Sequence, residues 1–253
     1  GGTRMFLSLL HIDIGNDPDR PSPGRDWLRN VYRVHQRLCM AFPSASRKVD
    51  DPDFLAPFVT GDFGHNQVRV QRGEENGFLF RIDPSKRGEA AILVQSAVQP
   101  DWDYAFHNAA HFLAAPTQIK QVDASFEDGQ SFRFRLMANP TRKIDTKSGP
   151  DGTRRNGKRV PVHADQLFSW LSSKSESSGF KIAEETTAIQ PGYAYFRKSR
   201  TDDKEMARLR SVRYDGLLEV SDRERFHKTL STGIGSGKSM GFGLLSIAPA
   251  TSS

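Results

Sequence analysis

One cysteine, Cys39, stands in 253 residues. A lone thiol excludes an internal disulfide framework and a cysteine-based zinc cluster, and it fits a reducing compartment. No apolar run reaches the roughly 18 residues that a membrane-spanning helix needs. No secretory leader is expected, and Gly1-Gly2-Thr3-Arg4 before Met5 reads as a remnant outside the fold. Acidic charge is in the minority: 36 Lys and Arg face 30 Asp and Glu, a formal net charge of +6. That excess favours a polyanionic partner. Hydrophobic residues make up 36 % of the chain and the mean hydropathy is −0.58. A core is within reach, and the surface is strongly polar.

Glycine is abundant in one place. Gly233-Ile-Gly235-Ser-Gly237-Lys238-Ser-Met-Gly241-Phe-Gly243 holds five glycines in eleven residues. Glycine admits positive φ and lets backbone N–H groups crowd an outside group. A lysine among such glycines suggests an anion, most simply phosphate. A plain glycine-rich turn without a ligand is the alternative. A nucleotide triphosphate fits poorly. The P-loop pattern needs a glycine five positions before the Gly-Lys-Ser end, and Thr232 stands there. A P-loop also follows a strand and opens a helix, whereas these glycines precede the apolar segment Leu244–Pro249.

Apolar periodicity lays out the remaining elements. Strands are expected at Met5–Ile14, Gly77–Asp83, Ala90–Ala97 and Gln118–Phe126, with helices at Trp27–Phe42 and Trp102–Leu113. Pro43 should stop the first helix. The order then recurs. Ser131–Ala138, Phe180–Ile189, Arg208–Val220 and Gly243–Ala248 read as strands, with Ala194–Arg197 a further short piece. Ala164–Ser172 and Asp222–Leu230 read as helices, and Asn139–Arg159 as a basic loop. The fold class is therefore α+β, two tandem ferredoxin-like (βαββαβ) domains at 5–127 and 130–249, a topology that RNA-recognition modules share. Ser44–Asn76 and Lys147–Asn156 read as insertions of unassigned role.

On the first helix, Trp27, Leu28, Val31, Val34, Leu38 and Phe42 share an apolar arc at about 100° per residue. Arg29, Arg33 and Arg37 lie opposite, on a solvated or RNA-facing side. His35 falls within the arc, and Tyr32, three residues away, is its neighbour. His35 is then either a satisfied core histidine or a proton-transfer group. RNA cleavage needs only the latter, because the ribose 2′-OH is an internal nucleophile beside its phosphate. An imidazole can move the proton, a tyrosine hydroxyl can position the reacting group, and cations can hold the developing charge. Metal chemistry has weaker support. His107 and His111 stand four apart, but Asn108 takes the place where an HExxH motif carries glutamate. Asp50, Asp51 and Asp53 lack EF-hand spacing. No metal and no cofactor are expected.

Tyr32-Arg-Val-His35, Pro100-Asp101-Trp102, Phe132-Arg-Phe-Arg-Leu-Met-Ala-Asn-Pro140, Gly157-Lys158-Arg159-Val160 and Gly233 through Pro249 occur in that order. In these segments the chain resembles the CasE family, the CRISPR precursor-RNA endoribonucleases of the type I-E Cascade complex. The resemblance runs from Met5 to Pro249. It implies metal-independent cleavage on the 3′ side of a repeat stem-loop, leaving a 2′,3′-cyclic phosphate and a 5′-hydroxyl. It implies that the product RNA is retained, with the repeat stem-loop and other Cascade subunits as partners. A cytoplasmic protein, monomeric when alone, is expected. By resemblance His35 is the proton-transfer residue, Tyr32 its partner, and the loop of Gly235, Gly237 and Lys238 an RNA contact. A third catalytic cation is left open, since the turn after His35 offers Arg37 and Met40 rather than lysine. A non-catalytic RNA-binding subunit is the rival reading.

Two basic clusters complete the expected interface. Arg142, Lys143, Lys147, Arg154, Arg155, Lys158 and Arg159 put seven cations in eighteen residues. They form either a solvated loop or a phosphate clamp. Arg208, Arg210 and Arg213, with Arg197, Lys198, Arg200 and Lys204 nearby, surround an expected hairpin. An A-form stem is read by shape and backbone, so these cations should set affinity more than sequence choice.

Overall fold

The computed structural model describes residues 3–17, 19–42, 77–84, 88–144, 158–197 and 206–250. Pro43, both expected insertions, the three aspartates at 50, 51 and 53, and Lys147, Arg154, Arg155, Lys198, Arg200 and Lys204 lie outside them.

The first half runs β1 (Thr3–Asp13), α1 (Pro23–Leu28), α2 (Val31–Met40), β2 (Phe78–Pro84), β3 (Glu89–Ser96), α3 (Trp102–Phe106) and β4 (Gln118–Ala124). Its antiparallel sheet has the order β2-β3-β1-β4. The second half runs β5 (Ser131–Ala138), β6 (Thr141–Ile144), β7 (Lys158–Pro161), α4 (Leu167–Ser177), β8 (Phe180–Phe196), β9 (Ala207–Val220), α5 (Arg223–Thr232) and β10 (Leu245–Pro249). Its sheet has the order β10-β5-β9-β8. With the β6–β7 ribbon set aside, both sheets place the outer strands of each βαββαβ unit in one ferredoxin-like arrangement. The fold is α+β, two such units in tandem.

Each sheet buries one face on its own helices. Leu10, Ile12, Phe80, Ile92 and Val94 pack with Trp27, Val34, Leu38 and Phe106. Leu136, Val212, Tyr214 and Leu218 pack with Leu167, Leu171, Phe226 and Leu230. Strand alternation supplies one apolar face per sheet, and the helices cover it.

Several expected boundaries are corrected. β1 begins at Thr3, because Thr3 and Arg4 pair with Ala124 and Asp123; the residues before Met5 are not all outside the fold. The first helix is two helices. Asn30 is extended, with φ −115°, because its side-chain amide is committed elsewhere. Asn30 Nδ2 donates to Arg197 O at 2.9 Å, and Arg197 N donates to Asn30 Oδ1 at 3.1 Å. That pair ties the α1–α2 junction to the end of β8. The helix from Trp102 stops at Phe106, with a 3₁₀ turn at Ala110–Phe112. His107 therefore lies in a turn against Tyr104 O at 2.7 Å, and it does not share a helix face with His111. The loop Asn139–Arg159 is structured at its ends, where β6 pairs with β7. Ala194–Arg197 is not a separate piece: β8 runs through to Phe196, its register shifting between Ile182 and Thr187. Pro191 is tolerated there because β8 is an edge strand.

Candidate nucleic-acid interface and catalytic helix

The glycine-rich segment forms a tight loop between α5 and β10. All five glycines have positive φ. Ile234 N donates to Gly243 O at 2.9 Å, closing the loop on itself, and Gly243 N donates to Met137 O at 2.8 Å, pinning it to β5. Gly237 shows why the residue type matters. Its φ is +77°, and a Cβ there would stand 2.9 Å from Phe242 Cδ2. Gly237→Ala is expected to lose about 1–2 kcal/mol from the left-handed backbone alone, and more from the contact. A lowered melting midpoint with weaker RNA binding is the expected result; an unchanged midpoint would contradict it.

The loop has two sides. Met240 and Phe242 pack on Val31 of α2, with Tyr32 and Ile82 against the same cluster. Gly235, Ser236 and Lys238 open into a cleft of about 310 Å³, bounded opposite by Thr141, Arg159, Trp170 and Lys174. Thr141 and Ser236 hydroxyls meet at 3.3 Å. Trp170 Nε1 donates to Thr141 O at 3.3 Å, and its ring lies where a Cβ on Gly235 would come within 3.3 Å. A second, adjoining hollow brings in Arg142 and Lys143. The loop thus joins the Tyr32/His35 helix to a basic cleft.

The cleft's electrostatics call for an anion. Lys143 and Arg159 stand directly opposite on the β6–β7 ribbon, and like charges so placed repel. A bridging phosphate reverses the sign of that interaction. Burial pushes the Lys238 ammonium below its usual 10.5. The sign follows. Between the lowered folded value and 10.5 the unfolded chain holds the proton more firmly, so stability rises with pH across that window. RNA affinity moves the other way, because phosphate needs the charged form. Wild-type affinity should weaken on passing from neutral pH toward the ordinary lysine range, while Lys238→Arg holds its affinity. Parallel pH profiles would contradict this.

The Tyr32/His35 pair sits differently. Tyr32 is half-buried, its ring centroid 6.4 Å from that of His35. His35 is only 6 % exposed. Its imidazole stacks on Phe78 at 5.7 Å and Phe80 at 6.3 Å. Cys39 Sγ, one turn on, lies 3.5 Å from Nε2. The ring therefore packs within the apolar arc that holds it.

The expected cations divide. Arg33 and Arg29 are exposed, Arg29 pairing with Asp26 at 3.6 Å. Arg37 does not stand with them on a free face. Its Nη1 donates to Ala105 O at 2.7 Å and Asn108 Oδ1 at 2.9 Å, and it lies over the rings of Phe106 and Phe112. Those contacts commit its guanidinium to α3 and the turn after it. Arg213 pairs with Asp215 at 2.7 Å, and Arg210 Nη1 donates to Val162 O at 2.7 Å. Arg208 lies over Tyr193 at 4.7 Å. Lys158 is placed by its backbone on β7 opposite Ile144. Trp170 and Lys174 were missed by sequence reasoning. Their i, i+4 spacing on α4 was the available signal, lost because the helix was ended at Ser172. Among the described residues no three His, Cys, Asp or Glu gather as a metal site, and no helix is long and apolar enough to cross a membrane.

Two ferredoxin-like units, joined by a glycine loop that bridges a histidine-bearing helix and a cationic cleft, define a polyanion-binding protein of tandem architecture. A family described as CRISPR associated protein matches residues 5–249. The chain belongs to that family, as a CasE-type protein of the type I-E Cascade. It is 30 % identical over 254 residues to CRISPR-associated endoribonuclease Cse3 of Thermus thermophilus, covering 97 % of this chain and 100 % of the relative. It is 27 % identical over 230 residues to the CRISPR system Cascade subunit CasE of Escherichia coli, covering 89 % and 95 %. It is also similar to the structure of Thermus thermophilus Cse3 bound to an RNA representing a pre-cleavage complex. There the TM-score is 0.66 at 25 % identity, over 97 % of this chain and 100 % of that one.

Proposed function

We propose that this protein is an endoribonuclease that cuts CRISPR precursor RNA without metal, at the 3′ side of the repeat stem-loop. The observation that carries the reading is the glycine loop, with the Tyr32/His35 helix on one side and a cationic cleft on the other. The Thermus relative named as an endoribonuclease, and the pre-cleavage RNA complex of that protein, support it. The 2′-oxygen attacks phosphorus as its proton leaves. The P–O5′ bond breaks and the 5′-oxygen takes up a proton, giving a 2′,3′-cyclic phosphate and a 5′-hydroxyl. His35 moves a proton and Tyr32 positions the reacting ribose or phosphate. Lys238, Arg142, Lys143 and Arg159 hold backbone phosphates and the developing charge.

The units are assigned to 5–127 and 130–249. The stem-loop lies along the ribbon and loop of the second unit, with its cut end toward α2 of the first. The product stays bound and enters a Cascade assembly with other subunits. That the enzyme is monomeric when alone and works in the cytoplasm, where the precursor is transcribed, completes the proposal.

The test is incubation with repeat RNA in excess EDTA, followed by end-group analysis. A cyclic phosphate on the upstream fragment and a 5′-hydroxyl on the downstream one are expected. Cleavage lost in EDTA and restored by Mg²⁺ would overturn the metal-free step. Tight hairpin binding without cleavage would leave only an RNA-binding subunit.

A further inference from the structure

β8 and β9 project as a long two-stranded arm, and its two faces differ. Ala194 and Phe196 of β8 and Leu209 of β9 pack toward Val31 and Phe242. Strand alternation sends Tyr193 and Tyr195 to the other face. They are 55 % and 47 % exposed, the highest values among the exposed large hydrophobic residues described. Their cross-strand partners are Arg210 and Arg208, and the Arg208 guanidinium lies 4.7 Å over the Tyr193 ring. Folding does not require this row, since the packed face already anchors the arm.

We infer that Tyr193, Tyr195 and Arg208 form a stacking platform for unpaired nucleotides that flank the RNA stem. The inference rests on the RNA-processing reading above. The occupant follows from chemistry. Two aromatic faces beside a guanidinium match the π-face of a base and the phosphate joined to it. Bases inside an A-form stem have both faces covered by their neighbours, so only unpaired ones can stack there. The site's position agrees. A groove of about 270 Å³ at the foot of the platform is lined by Tyr193, Tyr195, Arg29, Val31, Met137 and Phe242. It therefore opens beside the first turn of α2, the helix that carries Tyr32 and His35. Nucleotides bound there are those adjoining the scissile phosphate.

The experiment compares two RNAs: the repeat stem-loop alone, and the same stem-loop with an unpaired flank containing 2-aminopurine. Each is bound to the wild type, to Tyr193→Leu/Tyr195→Leu and to Tyr193→Phe/Tyr195→Phe. The flank should tighten wild-type binding on the order of tenfold for each stacked base and quench the 2-aminopurine. The Leu pair should lose the gain and the quench while binding the bare stem-loop like wild type, and the Phe pair should keep both. A flank that tightens the Leu pair as much as the wild type overturns the platform, as does a Leu pair equally weakened toward both RNAs. In those cases cleavage of the stem-loop by the wild type leaves the processing reading standing. A wild type that neither binds nor cuts the stem-loop removes that reading and the platform with it.

Discussion

His35→Ala is expected to slow cleavage of the repeat stem-loop by about 10²–10⁴-fold in single turnover, the usual yield of a positioned proton-transfer group. RNA affinity should stay near that of the wild type, because the proposed phosphate contacts lie on the ribbon and the glycine loop. Burial of His35 demands a control, since removing a stacked ring from beside Phe78 and Phe80 also leaves a cavity. His35→Phe fills that space and can neither take nor give a proton. It should retain the melting midpoint and be as inactive as the alanine variant. Full activity in His35→Phe would remove His35 from the chemistry and leave it a core residue.

The second large effect concerns the contact between the two halves. Arg81 of β2 is buried. Its Nε lies 2.9 Å from Asp83 Oδ1, and its Nη2 2.9 Å from Oδ2. Its Nη1 donates to Ser246 Oγ of β10 at 2.7 Å and to Arg135 O of β5 at 3.3 Å. Arg135 continues the network to Asp215 at 2.5 Å, and this hydrogen bond holds its guanidinium more firmly protonated than usual. Gln95 Nε2, on β3, donates to Leu230 O of α5 in the same seam. Arg81→Ala would leave the Asp83 carboxylate largely buried, with Arg135 at 3.9 Å as its remaining cation among the described residues. Removing one partner of such a pair costs about 3–5 kcal/mol, which in a chain this long lowers the melting midpoint by roughly 6–20 °C. Arg81→Met combined with Asp83→Leu should recover much of the loss, because no charge is then stranded. An unchanged midpoint in Arg81→Ala would show that the seam does not depend on this pair.

Much of the fold was legible because it is local. Ser131–Ala138 alternates as far as Leu136, and its strand has the expected bounds. Asp222 was expected to start a helix, and it caps α5 by accepting from Arg225 N at 3.0 Å. The break at Asn30 was not legible. Its cause is an amide pair with Arg197, 167 residues away, and no local pattern carries that information. The continuous β8 was missed for a related reason. One strand was expected to end at Ile189 and a short piece to begin at Ala194, and the edge position of β8 is what lets Pro191 continue the strand between them.

The candidate site divides along the same line. The sequence by itself determined that glycines surround Lys238, that Tyr32 and His35 are neighbours on a helix, and that cations are in excess. These are properties of residue type and spacing, which backbone geometry converts directly into local structure. Only the tertiary structure decided which cations are free. Arg37 and Arg210 are held by hydrogen bonds to backbone carbonyls of other elements, while Arg159, Lys174 and Lys238 line one cleft and Arg142 and Lys143 the hollow beside it. A positive charge reads the same in sequence whether a carboxylate, a carbonyl or a phosphate will meet it. The partner is chosen by which distant strand or helix the packing brings within about 3–4 Å.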